Sequence, residues 1–175
     1  MNLITNAPFW LLFWIGCAAA AAMIDDAMRF RISNPIPIAI VLGAIVAALV
    51  EGPTLALWQN VTLFAVILAI GTVAFAAGLL GGGDVKTFAA LGLWFDLRSG
   101  LWFVAMVLIC GGLFALLIMI ARFFRGGGLE ASRKARVPYG IAIGLGALSM
   151  IALDSGLIAH QHRPPTDFRT IPHLG

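Results

Sequence analysis

The chain has 175 residues, of which 61% are hydrophobic and 11% are charged, and its mean hydropathy is +1.01. Soluble domains average about 45–50% apolar and about 25% charged residues, so this composition excludes an ordinary soluble protein and predicts an integral membrane protein. The net charge of +3 is small and the basic residues cluster in predicted loops, which excludes a basic nucleic-acid-binding face.

Six apolar runs predict six membrane-spanning helices. They cover residues 8–26, 35–50, 58–80, 84–96, 100–121 and 138–158. No basic residue precedes the first run, so we interpret it as a retained span and not as a cleavable signal. The fourth run is shorter than the roughly 20 residues that a full crossing needs, and whether it crosses stays open. The predicted fold is all-α, with one six-helix transmembrane domain over residues 1–160 and a flexible periplasmic tail over residues 161–175.

The basic residues predict the orientation of these helices, because cytoplasmic loops carry an excess of Lys and Arg. Eight of the eleven lie in connections on one side, which we assign to the cytoplasm: Arg29, Arg31, Lys86, Arg122, Arg125, Arg133, Lys134 and Arg136. The other side holds Arg98, Arg163 and Arg169. Both termini are then expected outside, in the periplasm, and Asp26 and Asp84 are expected at the cytoplasmic ends of their helices.

Asp26 and Asp84 are the candidate catalytic residues, because Asp26 ends the first apolar run and Asp84 begins the fourth. An ionisable residue in hydrocarbon costs at least about 2.5 kcal/mol and by default marks a functional site. Two neighbouring carboxylates cannot both ionise easily, so one can hold a proton while the other is ionised. Hydrolysis of a peptide bond by two aspartates requires one protonated and one ionised carboxylate. Asp25 points about 100° away from Asp26 on a helix, so only one of them readily faces Asp84.

The residues around Asp84 favour the same chemistry. Glycines at positions 81 to 83 allow unusual backbone angles and the close approach of an extended substrate. Glycines 140, 144 and 146 in the last run suit close helix packing. Cys17 and Cys110 lie in apolar runs without metal-ligand spacing, so no metal site and no cofactor are predicted.

These motifs resemble the prepilin peptidases, the GxGD class of membrane-embedded aspartyl proteases, and in particular their short Flp-type (Tad) form. Gly81, Gly83 and Asp84 match the GxGD motif, and Lys86 extends it to GGGDxK. A second similarity lies in the residues that follow Asp26.

Six residues after Asp26 the chain reads Ile-Ser-Asn over 32–34, which is similar to the Ile-Pro-Asn turn of this family, with Ser33 where proline is usual. The last run opens with Pro138, Tyr139 and Gly140, which is also similar to the family. In this resemblance, the six-residue spacing from the aspartate to the Ile-Ser-Asn turn selects Asp26 over Asp25.

The resemblance implies a leader peptidase with Asp26 and Asp84 as its catalytic pair. It implies motif or substrate-binding roles for Gly81, Gly83, Lys86, Asn34, Pro138, Tyr139 and Gly140. The substrate would be a Flp-type prepilin, cleaved at the cytoplasmic face of the bacterial inner membrane, with the bilayer and the pilus assembly machinery as further partners. Methyltransferase activity is expected to be absent, because residues 27–34 leave no space for the zinc-binding insert of longer relatives.

Three alternatives stay open from the sequence. An archaeal-type preflagellin peptidase shares both aspartates. A small proton- or cation-coupled transporter could use intramembrane carboxylates, which would then lie near the bilayer midplane. A pilus assembly factor without catalytic activity would tolerate replacement of both aspartates.

Overall fold

The computed structural model describes residues 1–5, 7–29, 31–52, 54–124 and 139–155. Within these ranges the chain is all-helical, which confirms the all-α part of the predicted fold. The six helices are α1 (Phe9–Arg29), α2 (Pro35–Glu51), α3 (Leu57–Ala76), α4 (Gly82–Gly92), α5 (Leu97–Phe124) and α6 (Tyr139–Asp154). The predicted tail over residues 161–175 and most basic residues of the 122–136 connection lie outside the described residues.

In the described part of the chain, three helices are long and apolar enough to cross a membrane: α1, α3 and the Leu97–Ala121 part of α5. Helices α2 and α6 are apolar but have 17 and 16 residues, and α4 has 11. Large apolar side chains cover the outer faces of the long helices, among them Trp10, Ile70 and Leu108. A soluble protein rarely exposes so large an apolar surface, so the chain is a multi-pass membrane protein.

The end of α3 differs from the prediction. The apolar run continues to residue 80, whereas the helix ends at Ala76. Gly78 has φ of 73°, a left-handed conformation that glycine adopts at low cost, and the amide of Leu79 donates back to the carbonyl of Ala74 at 2.9 Å. Residues 77–81 therefore form the turn that leads into α4, which begins two residues earlier than the run predicts.

Helix α4 is short because it lies inside the bundle, where it packs against α2, α3 and α6. Just after it, Trp94 and Phe95 are fully buried, and Trp94 Nε1 donates to the carbonyl of Ile40 on α2 at 3.2 Å. Phe95 stacks on Phe103 of α5 with a centroid distance of 4.9 Å. This aromatic cluster anchors the C-terminal end of α4 and so fixes the position of its N-terminal end.

Helix α6 lies between α1 and α5 and contacts both through glycines. A Cβ atom on Gly144 would collide with the side chain of Met23 on α1. A Cβ atom on Gly146 would lie 2.6 Å from Cγ2 of Val107 on α5. The predicted packing role of these small residues is confirmed.

The N-terminal segment closes the end of the bundle opposite Asp26. Leu3 and Ile4 are buried, and Asn60 Nδ2 donates to the carbonyls of Met1 and Leu93, both at 2.8 Å. Asn2 Nδ2 donates to Oδ2 of Asp154 at 2.6 Å. Asp154 is thus separated from Asp26 and Asp84 by the length of the bundle.

Candidate active site

Asp26 lies in the last turn of α1 and is buried, with 2% of its surface exposed. Its Oδ2 accepts a 2.7 Å hydrogen bond from the backbone N–H of Gly140, at the start of α6. A Cβ atom on Gly140 would lie 2.7–2.8 Å from the Cβ, Cγ and Oδ2 atoms of Asp26, so only glycine permits this approach. The carboxylate therefore lies at the positive end of a helix dipole, which stabilises a negative charge.

Asp84 lies in the first turn of α4 and is 7% exposed. Its Oδ2 accepts a 3.1 Å hydrogen bond from the backbone N–H of Gly81, the residue that precedes the helix. Its Oδ1 is buried and has no hydrogen-bond partner within the described residues. Helix capping accounts for one oxygen of Asp84 and leaves the other free for a proton, water or substrate.

The two carboxylates lie at the same end of the bundle, Asp26 in the last turn of α1 and Asp84 in the first turn of α4. A second glycine contact draws their helices together. A Cβ atom on Gly83 would lie 2.5 Å from the backbone oxygen of Ile32, in the connection between α1 and α2. Because a side chain cannot fit there, the start of α4 lies directly against the connection that follows Asp26.

Asp25 has a different role from its neighbour. Its Oδ2 accepts a 2.7 Å hydrogen bond from the backbone N–H of Ser33, and its Oδ1 lies 3.4 Å from Nε of Arg29. Asp25 is therefore committed to holding the connection between α1 and α2, and it faces away from the buried pair.

The structure describes three of the remaining predicted motif residues, Asn34, Lys86 and Tyr139. Lys86 is exposed, and its Nζ donates to Oδ1 of Asn34 at 3.1 Å, which links the start of α4 to the residue before α2. Tyr139 is half-buried at the first position of α6. Pro138 lies outside the described residues.

Sequence reasoning missed the part that Thr87 plays. Its side chain is fully buried, and its Oγ1 donates to the carbonyl of Gly83 at 2.9 Å, which reinforces the first turn of α4. The available signal in the sequence was that Thr87 follows Gly83 of the GxGD motif by four residues, the spacing at which a threonine hydroxyl can reach a backbone carbonyl of its own helix. No group of three or more His, Cys, Asp or Glu side chains that could hold a metal occurs in the part of the chain that the structure describes.

A model of the type IV leader peptidase family matches residues 10–116 of the chain. The matched segment begins in α1 and ends in α5, and it contains both buried carboxylates. No curated protein and no solved structure matches the chain significantly.

Proposed function

The chain belongs to the type IV leader peptidase family, and on that premise we propose that it removes the leader peptide of Flp-type prepilins with Asp26 and Asp84 as its catalytic pair. The proposal places the reaction at the cytoplasmic face of the bacterial inner membrane. It needs no metal ion and no cofactor.

One observation carries the proposal: two carboxylates from separate helices are buried at the same end of the bundle, and Oδ1 of Asp84 has no hydrogen-bond partner within the described residues. Burying a carboxylate is costly unless it is paired or hydrogen-bonded. A chain that buries two of them at one end of a bundle of apolar helices therefore keeps them for chemistry.

The hydrogen bonds support a separate role for each carboxylate in the proposed reaction. Asp26 accepts from the backbone at the N-terminus of α6, an arrangement that favours the ionised form, so Asp26 takes the proton from the attacking water. Asp84 keeps Oδ1 free, and this oxygen carries the proton that is donated to the carbonyl oxygen of the scissile bond. The water oxygen bonds to the carbonyl carbon and gives a tetrahedral gem-diol. As the C–N bond breaks, the amine takes the proton from Asp26, and one hydroxyl of the gem-diol returns its proton to Asp84 as the C=O bond re-forms, so the pair again holds one proton.

The cytoplasmic location is supported by the basic residues at this end of the bundle. Arg29, Arg31 and Lys86 all lie near the ends of α1 and α4 that carry the two carboxylates. Cytoplasmic ends of membrane helices carry such an excess of positive charge. An acidic segment of a substrate would also be attracted to this end.

The short form of the peptidase is supported by the connection between the first two helices. Only residues 30–34 separate α1 from α2. A cytoplasmic insert with paired CxxC motifs does not fit in this connection, so we propose a peptidase without methyltransferase activity.

Co-expression with a Flp-type prepilin tests the function. The mass of the pilin subunit is measured by mass spectrometry with and without this chain, and loss of the leader mass together with an unmethylated new N-terminus is expected. An unchanged prepilin mass in the presence of the folded chain contradicts the proposed function. A preflagellin given in parallel distinguishes the archaeal-type specificity, and carboxylate-dependent ion uptake by proteoliposomes without cleavage would point to a transporter.

A further inference from the structure

The Ile-Ser-Asn turn (residues 32–34) lies between the two helices that carry the proposed catalytic carboxylates. Within the described residues, α1 and α4 make little direct contact with each other, so their relative position is set by the elements that lie against both. The turn is one of these elements, and it lies at the end of the bundle that carries both carboxylates. A displacement of the turn therefore changes the position of Asp84 relative to Asp26.

On the side of α4, the first and last residues of the turn make the contacts. Ile32 is buried, and an added Cβ on Gly83 would lie 2.5 Å from the backbone oxygen of Ile32 and 3.1 Å from its backbone nitrogen. Oδ1 of Asn34 accepts a hydrogen bond from Nζ of Lys86 at 3.1 Å. Since Gly83 directly precedes Asp84, the backbone of the turn packs against the residue next to the carboxylate.

On the side of α1, the side chain of Asp25 holds the middle of the turn. Its Oδ2 accepts a 2.7 Å hydrogen bond from the backbone N–H of Ser33. Ser33 is half-buried, and the Asp25 side chain is only 14% exposed. A backbone N–H in such surroundings needs an acceptor from the protein, because water has little access to it.

The middle residue of the turn explains why this acceptor is present. Proline, which is usual at this position in the family that the sequence resembles, has no N–H and fixes φ at about −65°. Ser33 lacks both properties, since its N–H must be paired and no ring restricts its φ. Asp25 supplies the acceptor from the position directly before Asp26.

We propose that Asp25 is a positioning residue, which together with Ser33 replaces the proline of this turn, holds the turn against Gly83 and so fixes Asp84 relative to Asp26. This inference rests on the proposed function. Asp25 acts through the turn and not on the reacting atoms. Because its donor is a neutral amide, the interaction needs an acceptor oxygen and not a negative charge, so a carboxamide at position 25 serves equally.

The measurement is kcat and KM for leader cleavage by purified variants, with each rate expressed per folded molecule. Asp25→Ala introduces a good helix former, so α1 itself is retained. We expect this variant to lose at least about ten-fold in kcat with KM within about two-fold of the wild type, because a misplaced carboxylate weakens the transition state and not substrate binding. Asp25→Asn keeps the acceptor oxygen and is expected to stay within a few-fold of the wild type.

Ser33→Pro provides a rescue of the alanine variant. In the Asp25→Ala background it removes the unpaired N–H and fixes φ, so the double variant is expected to recover kcat to within a few-fold of the wild type. Asp96→Ala is the matched control, since Oδ1 of Asp96 accepts the N–H of Ser99 at 2.8 Å at the start of α5, at the opposite end of the bundle. Loss of that bond is expected to lower stability and leave kcat per folded molecule unchanged.

A kcat of Asp25→Ala equal to that of the wild type would overturn the inference. So would an equal loss in Asp25→Asn, because Asp25 would then act through its charge, and an equal loss in Asp96→Ala, because the effect would then be general destabilisation. A rescue variant no faster than Asp25→Ala would also overturn it, because the turn would not be the link. Each of these results leaves the wild-type peptidase active, whereas a wild type that cleaves no leader contradicts the proposed function instead.

Discussion

The backbone N–H of Gly140 donates a 2.7 Å hydrogen bond to Oδ2 of Asp26, across 114 residues of sequence. This bond joins the first helix of the bundle to the last and places the N-terminus of α6 against the proposed catalytic carboxylate. The family match ends at residue 116, before α6 begins. Helix α6 is nonetheless part of the site, because its first amides hold Asp26.

Gly140→Ala should therefore impair cleavage without abolishing the fold. The added Cβ would lie 2.8 Å from Oδ2 of Asp26 and must displace the carboxylate. Misplacement of a reacting group by about 1 Å can cost about 10²-fold in rate, and we expect a loss of that order in kcat for leader cleavage. Gly16→Ala, where an added Cβ meets no atom within 4 Å, is the control. Equal rates for the two variants would contradict the importance of this contact.

The glycines before Asp84 should differ in their tolerance of substitution. A Cβ on Gly83 would lie 2.5 Å from the backbone oxygen of Ile32, which cannot move without shifting the chain. A Cβ on Gly82 would lie 3.4 Å from the ring of Phe75, an ordinary contact. We expect Gly83→Ala to lower kcat about 10²-fold and Gly82→Ala to stay within a few-fold of the wild type. Assays of purified protein decide this, and similar losses for both would refute the assignment of the close contact to Gly83.

Several features of the site could be predicted from the sequence, and the reason is physical. Asp26 and Asp84 are conspicuous because charges are rare in apolar runs, and alternating helix directions place them at one end of the bundle. The spanning length of α1, α3 and α5 follows from the length of their apolar runs. These predictions need only local composition and the thickness of a bilayer.

Other features depend on contacts between distant residues and could not be predicted. The resemblance to a family selects Asp26 over Asp25, but the contacts that separate the two residues, with the amide of Ser33 for Asp25 and with that of Gly140 for Asp26, depend on the fold. The early end of α3 depends on the backbone angles of Gly78 within an unbroken apolar run.

Asn60→Ala should lower stability and leave the chemistry intact. The Asn60 side chain donates hydrogen bonds to the backbone carbonyls of Met1 and Leu93, at the end of the bundle opposite the carboxylates of Asp26 and Asp84. Leaving buried carbonyls without donors costs about 1–3 kcal/mol, so we expect a lower thermal midpoint in detergent and normal cleavage per folded molecule. Thr72→Val is the control, because the exposed Thr72 hydroxyl bonds only to Leu68 within its own helix. A specific activity reduced as much as the stability would contradict this separation.

Lys86 and Asn34 should act as one unit. Their side chains share a 3.1 Å hydrogen bond at the surface, so each single replacement by alanine removes the same contact. We expect each variant to lose less than about 1.5 kcal/mol of stability and the double variant to lose no more than the larger single loss. A double-mutant cycle from unfolding curves measures this. Strictly additive losses would show that the two residues act independently.

The central claim is that Asp26 and Asp84 form one catalytic unit, and the most direct test is the rate of leader cleavage by Asp26→Asn, Asp84→Asn and the double variant. We predict that each single variant folds but loses at least about 10²-fold in kcat, and that the double variant is no slower than the singles, because residues that act as a unit are not additive. Asp25→Asn, which keeps an acceptor for Ser33, is predicted to stay within a few-fold of the wild type. Cleavage at the wild-type rate by either single variant of the pair would contradict the account.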